Sequence, residues 1–282
     1  MTQQIQWFPG HMAKTIREIG EQMKLVDFSL GIVDARAPES TQNPRIMDSI
    51  SVKPVFLILN KIDLADARQV HKFVAANKNK FAGILTTDAK MGLLSKDFLR
   101  QLKTNPIYAK MVENKKSASL KALVVGTPNV GKSTFINHLA GKNIARTANT
   151  PGVTRFLYWI RTKYDLDFLD TPGLLWPKFE NQEIGTKIGI LGGIKDTLLA
   201  PDDLALWLIS FIQKNYPTAI ATRYKISHFP LDNPIAALMS ITSQLGMRQD
   251  FEKASLKIIN DFRSGKFGQI SLDFYGDDYI EN

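Results

Sequence analysis

The residues from Gly126 to Ser133 read GTPNVGKS and match the phosphate-binding pattern G-x-x-x-x-G-K-[ST]. An apolar run precedes them, and a stretch with helical spacing follows. Glycines at these positions let backbone N–H groups close around phosphate oxygens at a helix N-terminus. In this chemistry Lys132 reaches the β- and γ-phosphates, and Ser133 binds Mg²⁺. The predicted contacts with the nucleotide are Asn129, Val130, Gly131, Lys132, Ser133 and Thr134.

A second pattern, D-x-x-G, occurs as DTPG at 170–173. Alone it is weak evidence, because about one match per chain of this length arises by chance. Its position strengthens it, since it ends the apolar run LDFLD about forty residues after the phosphate-binding loop. We expect Asp170 to hold Mg²⁺ through water and the Gly173 N–H to contact the γ-phosphate.

The polar segment 147–156, TANTPGVTRF, lies between these two patterns. A threonine hydroxyl in such a segment can complete the Mg²⁺ shell, which makes the segment a switch loop ordered by the γ-phosphate. Thr154 is the preferred residue for this role and for nucleotide contact, and Thr150 is the alternative.

The third pattern is N-K-x-D, formed by Asn60, Lys61 and Asp63 at the end of the apolar run PVFLIL. A carboxylate at position 63 can accept hydrogen bonds from guanine N1–H and from its exocyclic amine, which adenine does not offer. The pattern therefore predicts GTP instead of ATP, with Asn60 and Lys61 bracing the loop and Lys61 packing over the base. Thr87 and Asp88 end a later apolar run, and we expect their backbone to contact the edge of the base.

The guanine pattern precedes the phosphate-binding loop by some sixty residues, the reverse of the usual order. Loops at the carboxyl ends of neighbouring parallel strands share one pocket whatever their order in the chain. The order therefore predicts a circular permutation.

Apolar runs at 28–35, 54–60, 82–89, 120–126 and 166–170 alternate with helical stretches, which predicts an α/β fold with a doubly wound, mostly parallel sheet. Residues 156–162 and 164–170 are expected to form an antiparallel hairpin at its edge.

After residue 178 the pattern becomes helical, with segments at 202–214, 234–245 and 250–263. We predict a nucleotide-binding domain over 1–178 and a small all-helical domain over 179–282. Near the N-terminus, residues 12–26 have the spacing of an amphipathic helix.

Composition narrows the class of protein. The chain of 282 residues has no cysteine, which excludes disulfides, zinc–cysteine sites and thiol catalysis. No apolar run of membrane-spanning length and no signal peptide occur, so the sequence predicts a cytoplasmic protein without a membrane partner.

The net charge is +9, and residues 1–179 hold 26 basic against 14 acidic side chains. The stretch from Arg100 to Lys121 is especially basic, which suits phosphate backbones or, as the alternative, serves only solubility.

These patterns, with WFPGHMAK at 7–14, resemble the circularly permuted GTPases that act in ribosome assembly. The resemblance covers nearly the whole chain. It implies a GTP-hydrolysing assembly factor for the large ribosomal subunit that binds the nascent particle in the GTP state and is released after particle-stimulated hydrolysis. The helical domain would contact ribosomal RNA, DNA is not an expected partner, and nothing calls for more than a monomer.

Two site residues follow from the resemblance. Leu174 follows DTPG where many GTPases place a glutamine that orients water, and the family implies His11 as the catalytic substitute. A structural or RNA-contacting histidine is the alternative. Asn129 resembles the asparagine that helps hold K⁺ in potassium-activated GTPases, so K⁺ joins Mg²⁺ as an expected cofactor.

The contacts with RNA are less sharply defined by the sequence. The helical domain is slightly acidic, so RNA contact there needs a local patch, for which Lys253, Lys257, Arg263 and Lys266 are candidates, although an ordinary mixed-charge face is equally compatible. Trp7 and Phe8 are candidates for base stacking, for a protein pocket or for core packing. A nucleotide-gated RNA-binding scaffold with incidental hydrolysis is the alternative function. A GTPase acting on transfer RNA or membranes has little support.

Overall fold

The computed structural model describes residues 11–88, 94–115, 118–141, 157–175, 179, 181–227 and 229–275. These residues fall into two compact units. The first, the nucleotide unit, holds the described residues up to 179 together with 271–275, and the second, the helical unit, holds 181–270. The sequence prediction assigned 271–275 to the helical domain, whereas their contacts are with the nucleotide unit.

The nucleotide unit is built on a six-stranded sheet in the order β3-β2-β1-β4-β6-β5. All neighbours are parallel except β5, which runs antiparallel to β6 at the edge. The predicted fold class and the predicted edge hairpin are therefore confirmed. The strands are β1 Phe28–Asp34, β2 Val55–Asn60, β3 Gly83–Thr87, β4 Leu120–Gly126, β5 Tyr158–Arg161 and β6 Leu166–Asp170.

Both faces of this sheet are covered, which explains why the central strands are continuously apolar. All seven residues of β1 and all six of β2 are buried. Side chains alternate between the faces. Phe56 and Ile58 join one core cluster, and Leu57 and Leu59 join the other.

In the described part of the nucleotide unit the helices are α1 His11–Gln22, α2 Pro44–Ile50, α3 Ala67–Asn77, α4 Leu94–Thr104, α5 Pro106–Glu113 and α6 Lys132–Ala140. Three of them begin at a polar cap, because the side chains of Asn43, Asp66 and Asn105 accept hydrogen bonds from backbone N–H groups of the first turn. The helix predicted over 12–26 ends at Gln22 and continues as a 3₁₀ turn over Met23–Leu25.

The helical unit contains α7 Gln182–Ile190, α8 Pro201–Asn215, α9 Ala219–Tyr224, α10 Pro234–Gln244 and α11 Phe251–Arg263. The long helix α8 lies at its centre and packs against the other four. Three of these helices match the predicted segments, and α7 and α9 were not predicted. Among the described residues, no helix has the length and apolar character that crossing a membrane requires.

Candidate nucleotide-binding site

The loop between β4 and α6 has the backbone of a phosphate-binding loop. Asn129 and Gly131 are in the left-handed region, with φ of 62° and 95°. A Cβ at Gly126 would lie 2.5 Å from the carbonyl oxygen of Ile32, and a Cβ at Gly131 would collide with the amide nitrogen of Asn60. Glycine is therefore required at both ends of the loop by close approach.

The predicted phosphate and metal ligands lie at the carboxyl ends of neighbouring strands. Asp170 ends β6 and is paired in register with Val124 of β4. Its side chain is fully buried, and neither carboxylate oxygen accepts a hydrogen bond from the described part of the chain. Lys132 is also buried, with its Nζ 3.6 Å from Asp170 Oδ1. Ser133 and Thr134 are half-buried in the first turn of α6.

A buried carboxylate without hydrogen-bond donors is costly, so a cation beside it is favourable. Oxygen ligands from a carboxylate and a hydroxyl are the donors that Mg²⁺ prefers, with water completing its shell. The orphaned oxygens of Asp170, at the same edge of the sheet as Ser133, therefore fit a magnesium ion.

The guanine pattern lies directly against the phosphate-binding loop, although some seventy residues separate them in the chain. Asn60 is buried at the end of β2, and its Nδ2 donates a 2.6 Å hydrogen bond to the carbonyl oxygen of Val130. Lys61 is in the left-handed region and donates from Nζ to the carbonyl oxygen of Asn129 at 2.7 Å. The structure thus brings together the two patterns whose order is reversed in the sequence.

The remaining predicted base contacts surround this point. Asp63 is exposed in a 3₁₀ turn over Ile62–Leu64 that follows Lys61 directly. Thr87 is buried at the end of β3, paired in register with Asn60, and Asp88 follows it half-buried. Carboxylate and backbone groups therefore lie along one edge of the sheet, where a base can be read.

A buried ion cluster beneath the guanine pattern was not predicted. Asp34, the last residue of β1, accepts hydrogen bonds from the Arg36 guanidinium at 2.9 Å and from Lys61 Nζ at 2.8 Å. Burial raises the pKa of Asp34, but the charges and hydrogen bonds of Arg36 and Lys61 outweigh it and hold the pKa well below its usual value. The sequence contains a sign of this cluster, because two charged residues, in D-A-R at 34–36, stand at the end of an apolar run.

The segment after Asp170 is held against the phosphate-binding loop. Leu174 donates its N–H to the carbonyl oxygen of Gly126 at 3.3 Å, and its own carbonyl accepts from Asn43 Nδ2. A Cβ at Gly173 would lie 2.9 Å from Pro128 Cα, so this approach also depends on glycine. The side chain of Leu174 is fully buried. It has no means of polarising a water molecule.

Four of the predicted residues, and the side chain of a fifth, lie outside the part of the chain that the structure describes. Thr150, Thr154, Trp7 and Phe8 are outside the described residues. His11 is the first residue of α1, and its side chain is likewise outside them.

The predicted basic patch on α11 is largely occupied by internal ion pairs. Lys257 and Lys266, with Arg223 of α9, surround the buried carboxylate of Asp261. Arg263 pairs with Asp196 and donates to the carbonyl oxygens of Gly189 and Ile190. Lys253 is exposed. This arrangement stabilises the helical unit and lowers the charge available to an external phosphate.

Comparisons with known proteins agree with this geometry. A family model described as "50S ribosome-binding GTPase" matches residues 121–230. The ribosome biogenesis GTPase A of Bacillus cereus is 38% identical, over 95% of this chain and 93% of its own length. The mitochondrial ribosome-associated GTPase 1 of Ictalurus punctatus is 31% identical, over 95% of this chain and 92% of its own.

The solved structure of GNP-bound YlqF from T. maritima is similar in fold, with a TM-score of 0.64 over 93% of this chain and 98% of that one, at 22% identity. The sequence identity to the Bacillus cereus relative extends over nearly the whole of both chains. This chain therefore belongs to the ribosome biogenesis GTPase A family of circularly permuted GTPases, and it is a GTP hydrolase.

Proposed function

We propose that this GTPase is an assembly factor for the large ribosomal subunit, which binds the nascent particle in the GTP state and leaves after particle-stimulated hydrolysis. The observation that carries the proposal is its 38% identity, over 95% of the chain, to a protein named ribosome biogenesis GTPase A. The match of 121–230 to a 50S ribosome-binding GTPase family supports the choice of subunit. The protein acts as a monomer in the cytoplasm, with the particle and its ribosomal RNA as partners.

The phosphate half of the site is assigned to the loop after β4. Lys132 turns from Asp170 towards the β- and γ-phosphates, which offer stronger partners for its charge than a carboxylate oxygen at 3.6 Å. The backbone N–H groups of 129–134 and the Gly173 N–H donate to phosphate oxygens. Ser133 and Asp170 hold Mg²⁺, Asp170 through water, and Thr154 is proposed as the further ligand. When bound, the ion would offset the negative charge of the β- and γ-phosphates.

The base half of the site is assigned to the guanine pattern. Asp63 accepts from N1–H and from the exocyclic amine of guanine, and Thr87 and Asp88 contact the base edge. Asn60 and Lys61 act on the loop itself, because their polar ends are bonded to carbonyl oxygens of the phosphate-binding loop. Only the methylene stem of Lys61 remains for packing against the base.

The attacking water needs a polar group that Leu174 does not supply, and we assign this role to His11. A positioned general base or orienting group contributes about a hundredfold or more to the rate. His11→Ala is expected to lower particle-stimulated turnover by about this factor with GDP affinity unchanged. The matched control is His71→Ala, because His71 is an exposed histidine on α3. Equal turnover in both variants would leave His11 a structural or RNA-contacting role.

Potassium activation is assigned to Asn129, whose left-handed backbone places it at the turn of the phosphate-binding loop. A monovalent cation there would contribute charge where an arginine finger contributes it in other GTPases. Turnover measured in K⁺ and in Na⁺ at equal ionic strength tests the assignment. A rate that does not depend on which ion is present would contradict it.

Contact with ribosomal RNA is assigned to exposed cations of both units. Lys103 and Lys110 are exposed on α4 and α5, and Lys253 is exposed on α11. Neutralising phosphates with such residues releases counterions, so particle binding should weaken as salt rises.

The decisive experiment measures GTP turnover in potassium buffer with and without purified large subunits, with small subunits as the control. We expect acceleration of about tenfold or more by large subunits, equivalent to about 1.4 kcal/mol of barrier. Lys132→Ala provides the inactive baseline. An unchanged rate despite GTP-dependent binding to the large subunit would favour the scaffold function instead.

A further inference from the structure

The chain returns to the nucleotide unit after its last helix. Residues 271–275, which we name the C-terminal strap, follow the helical unit directly in sequence and belong to the nucleotide unit. Ser271, Leu272 and Asp273 are all buried there. These residues belong to none of the nucleotide-binding patterns, so a role in nucleotide contact does not explain why they are buried.

The middle of the strap is bonded to the loop that follows β1. Leu272 donates its N–H to the carbonyl oxygen of Arg36 at 2.6 Å. The carboxylate of Asp273 accepts from the N–H groups of Glu39 and Ser40 at 2.9 Å and from the Ser40 hydroxyl at 2.6 Å. The three hydrogen bonds to this buried carboxylate are charge-assisted, which makes them stronger than hydrogen bonds between neutral groups.

The strap is also bonded to the segment that follows the guanine pattern. Ser271 Oγ accepts from the N–H of Asp66 at 3.1 Å, and Tyr275 donates its N–H to Gln69 Oε1 at 3.0 Å. The ring of Tyr275 lies 5.2 Å from the ring of Phe73 on α3. This side of the strap therefore fixes the start of α3.

These two attachment points flank the loop that reads guanine. Arg36 is joined to Lys61 through the buried carboxylate of Asp34. Asp66 lies two residues after the short turn that Asp63 occupies and caps the start of α3. Moving either point would displace the loop between them, because the turn is held at both of its ends.

We infer that the C-terminal strap positions the guanine-reading loop, with Asp273 and Ser271 as positioning residues that determine base specificity without touching the nucleotide. The inference rests on the proposed role of Asp63 in reading guanine. Coupling of this kind is reciprocal, so strap docking raises guanine affinity by the same factor by which guanine nucleotide favours strap docking.

The test compares the affinities for GDP and inosine diphosphate, which lacks the exocyclic amine that Asp63 would bind. In the unaltered protein we expect GDP to bind about tenfold more tightly, the value of one hydrogen bond to a charged group. Asp273→Ala should weaken GDP binding by about tenfold and reduce the GDP preference to about twofold. Asp273→Asn keeps one carbonyl acceptor and should lie between the two.

Asp250→Ala is the matched control. Asp250 accepts from the backbone N–H of Lys253 at the start of α11, so it is also an acidic cap, but it belongs to the helical unit. It should lower thermal stability and leave the GDP preference unchanged. If Asp273→Ala does the same, its role is structural only and the inference is overturned.

Asp63→Ala separates the two hypotheses. It should abolish the GDP preference with the strap intact. A preference that survives Asp63→Ala would refute the base-reading assignment and the inference with it. A preference lost in Asp63→Ala but retained in Asp273→Ala would refute the strap alone.

Hydrogen exchange of the unaltered chain provides a measurement that does not depend on a variant folding. GDP should raise protection of the Leu272 amide about tenfold, by the reciprocity of the coupling. The Lys253 amide, capped in the helical unit, should not change. Equal effects at both amides, or none at Leu272, would overturn the inference.

Discussion

Asp34 and Asp170 end two strands of the same sheet, and their surroundings are opposite. Both side chains are almost completely buried. Asp34 is surrounded by the charged groups of Arg36 and Lys61, whereas the carboxylate oxygens of Asp170 accept no hydrogen bond from described residues. The base half of the site is thus braced by the protein itself, and the phosphate half is left to be completed by its ligands.

The largest effect is expected from breaking the braced half. Asp34→Ala leaves the charges of Arg36 and Lys61 without their buried partner, which should cost about 3–5 kcal/mol of unfolding free energy. Urea unfolding of the nucleotide-free protein measures this loss. Arg68→Ala is the control, because the Arg68 side chain is exposed to solvent and the loss of its pair with Asp66 should cost less than about 1 kcal/mol.

The opposite result is expected in the open half. Asp170→Asn removes a buried charge that accepts no hydrogen bond but also leaves Lys132 without its partner at 3.6 Å, so the unfolding free energy of the nucleotide-free protein should fall, but by less than in Asp34→Ala. GTP turnover should fall about a hundredfold, because Asp170 is the proposed holder of Mg²⁺ through water. A variant that unfolds as readily as Asp34→Ala would erase the contrast between the two halves.

The contact between the two halves is tested by a pair of glycines. Gly131 and Gly141 both have positive φ, but a Cβ at Gly131 meets Asn60, while a Cβ at Gly141 has nothing within 4 Å. Backbone strain should cost each alanine variant about 1–2 kcal/mol of stability, and Gly131→Ala should lose more because its Cβ also collides with Asn60. Only Gly131→Ala should also weaken GDP binding, by about tenfold, since it displaces Asn60 from the phosphate-binding loop. Similar GDP affinities in the two variants would show that this contact is unimportant.

The smallest effect concerns pH. The folded pKa of Asp34 is depressed below its usual value of 3.8, so the folded state binds fewer protons than the unfolded state in this range. The stability that Asp34 contributes is therefore complete above about pH 5 and is lost as the pH falls through and below the usual value. The difference in unfolding free energy between the unaltered protein and Asp34→Ala should shrink by about 1 kcal/mol between pH 5 and pH 3. A constant difference would contradict the pairing.

The sequence predicted the features that depend on local patterns. Apolar runs located the strands of the sheet, and the glycines of 126–133 predicted a loop whose backbone needs them. That the guanine pattern lies beside the phosphate-binding loop followed from topology, because both follow the carboxyl ends of strands in one sheet, but the hydrogen bond from Asn60 to Val130 was not predicted.

The features that the sequence did not predict depend on partners distant in the chain. Asp34 pairs with Lys61, which follows the neighbouring strand β2, and Asp273 bonds to Ser40, which is more than two hundred residues away. Lys257 and Lys266 were candidates for an RNA patch, but together with Arg223 they surround the buried carboxylate of Asp261. Charge pairs between separate elements leave no trace in the spacing of residues, whereas the Lys257–Asp261 pair has the i,i+4 spacing of a single helix.

The C-terminal strap also determines when the nucleotide unit is finished during synthesis. A chain grows from its N-terminus, and domains fold in that order as they are made. Here the unit that begins first is discontinuous, and its segment 271–275 is made after the whole helical unit. A nascent chain that has passed residue 179 carries every nucleotide-binding pattern but lacks the hydrogen bonds to Arg36, Ser40 and Asp66. If the strap positions the guanine-reading loop as we infer, guanine specificity becomes complete only after the helical unit has been synthesised.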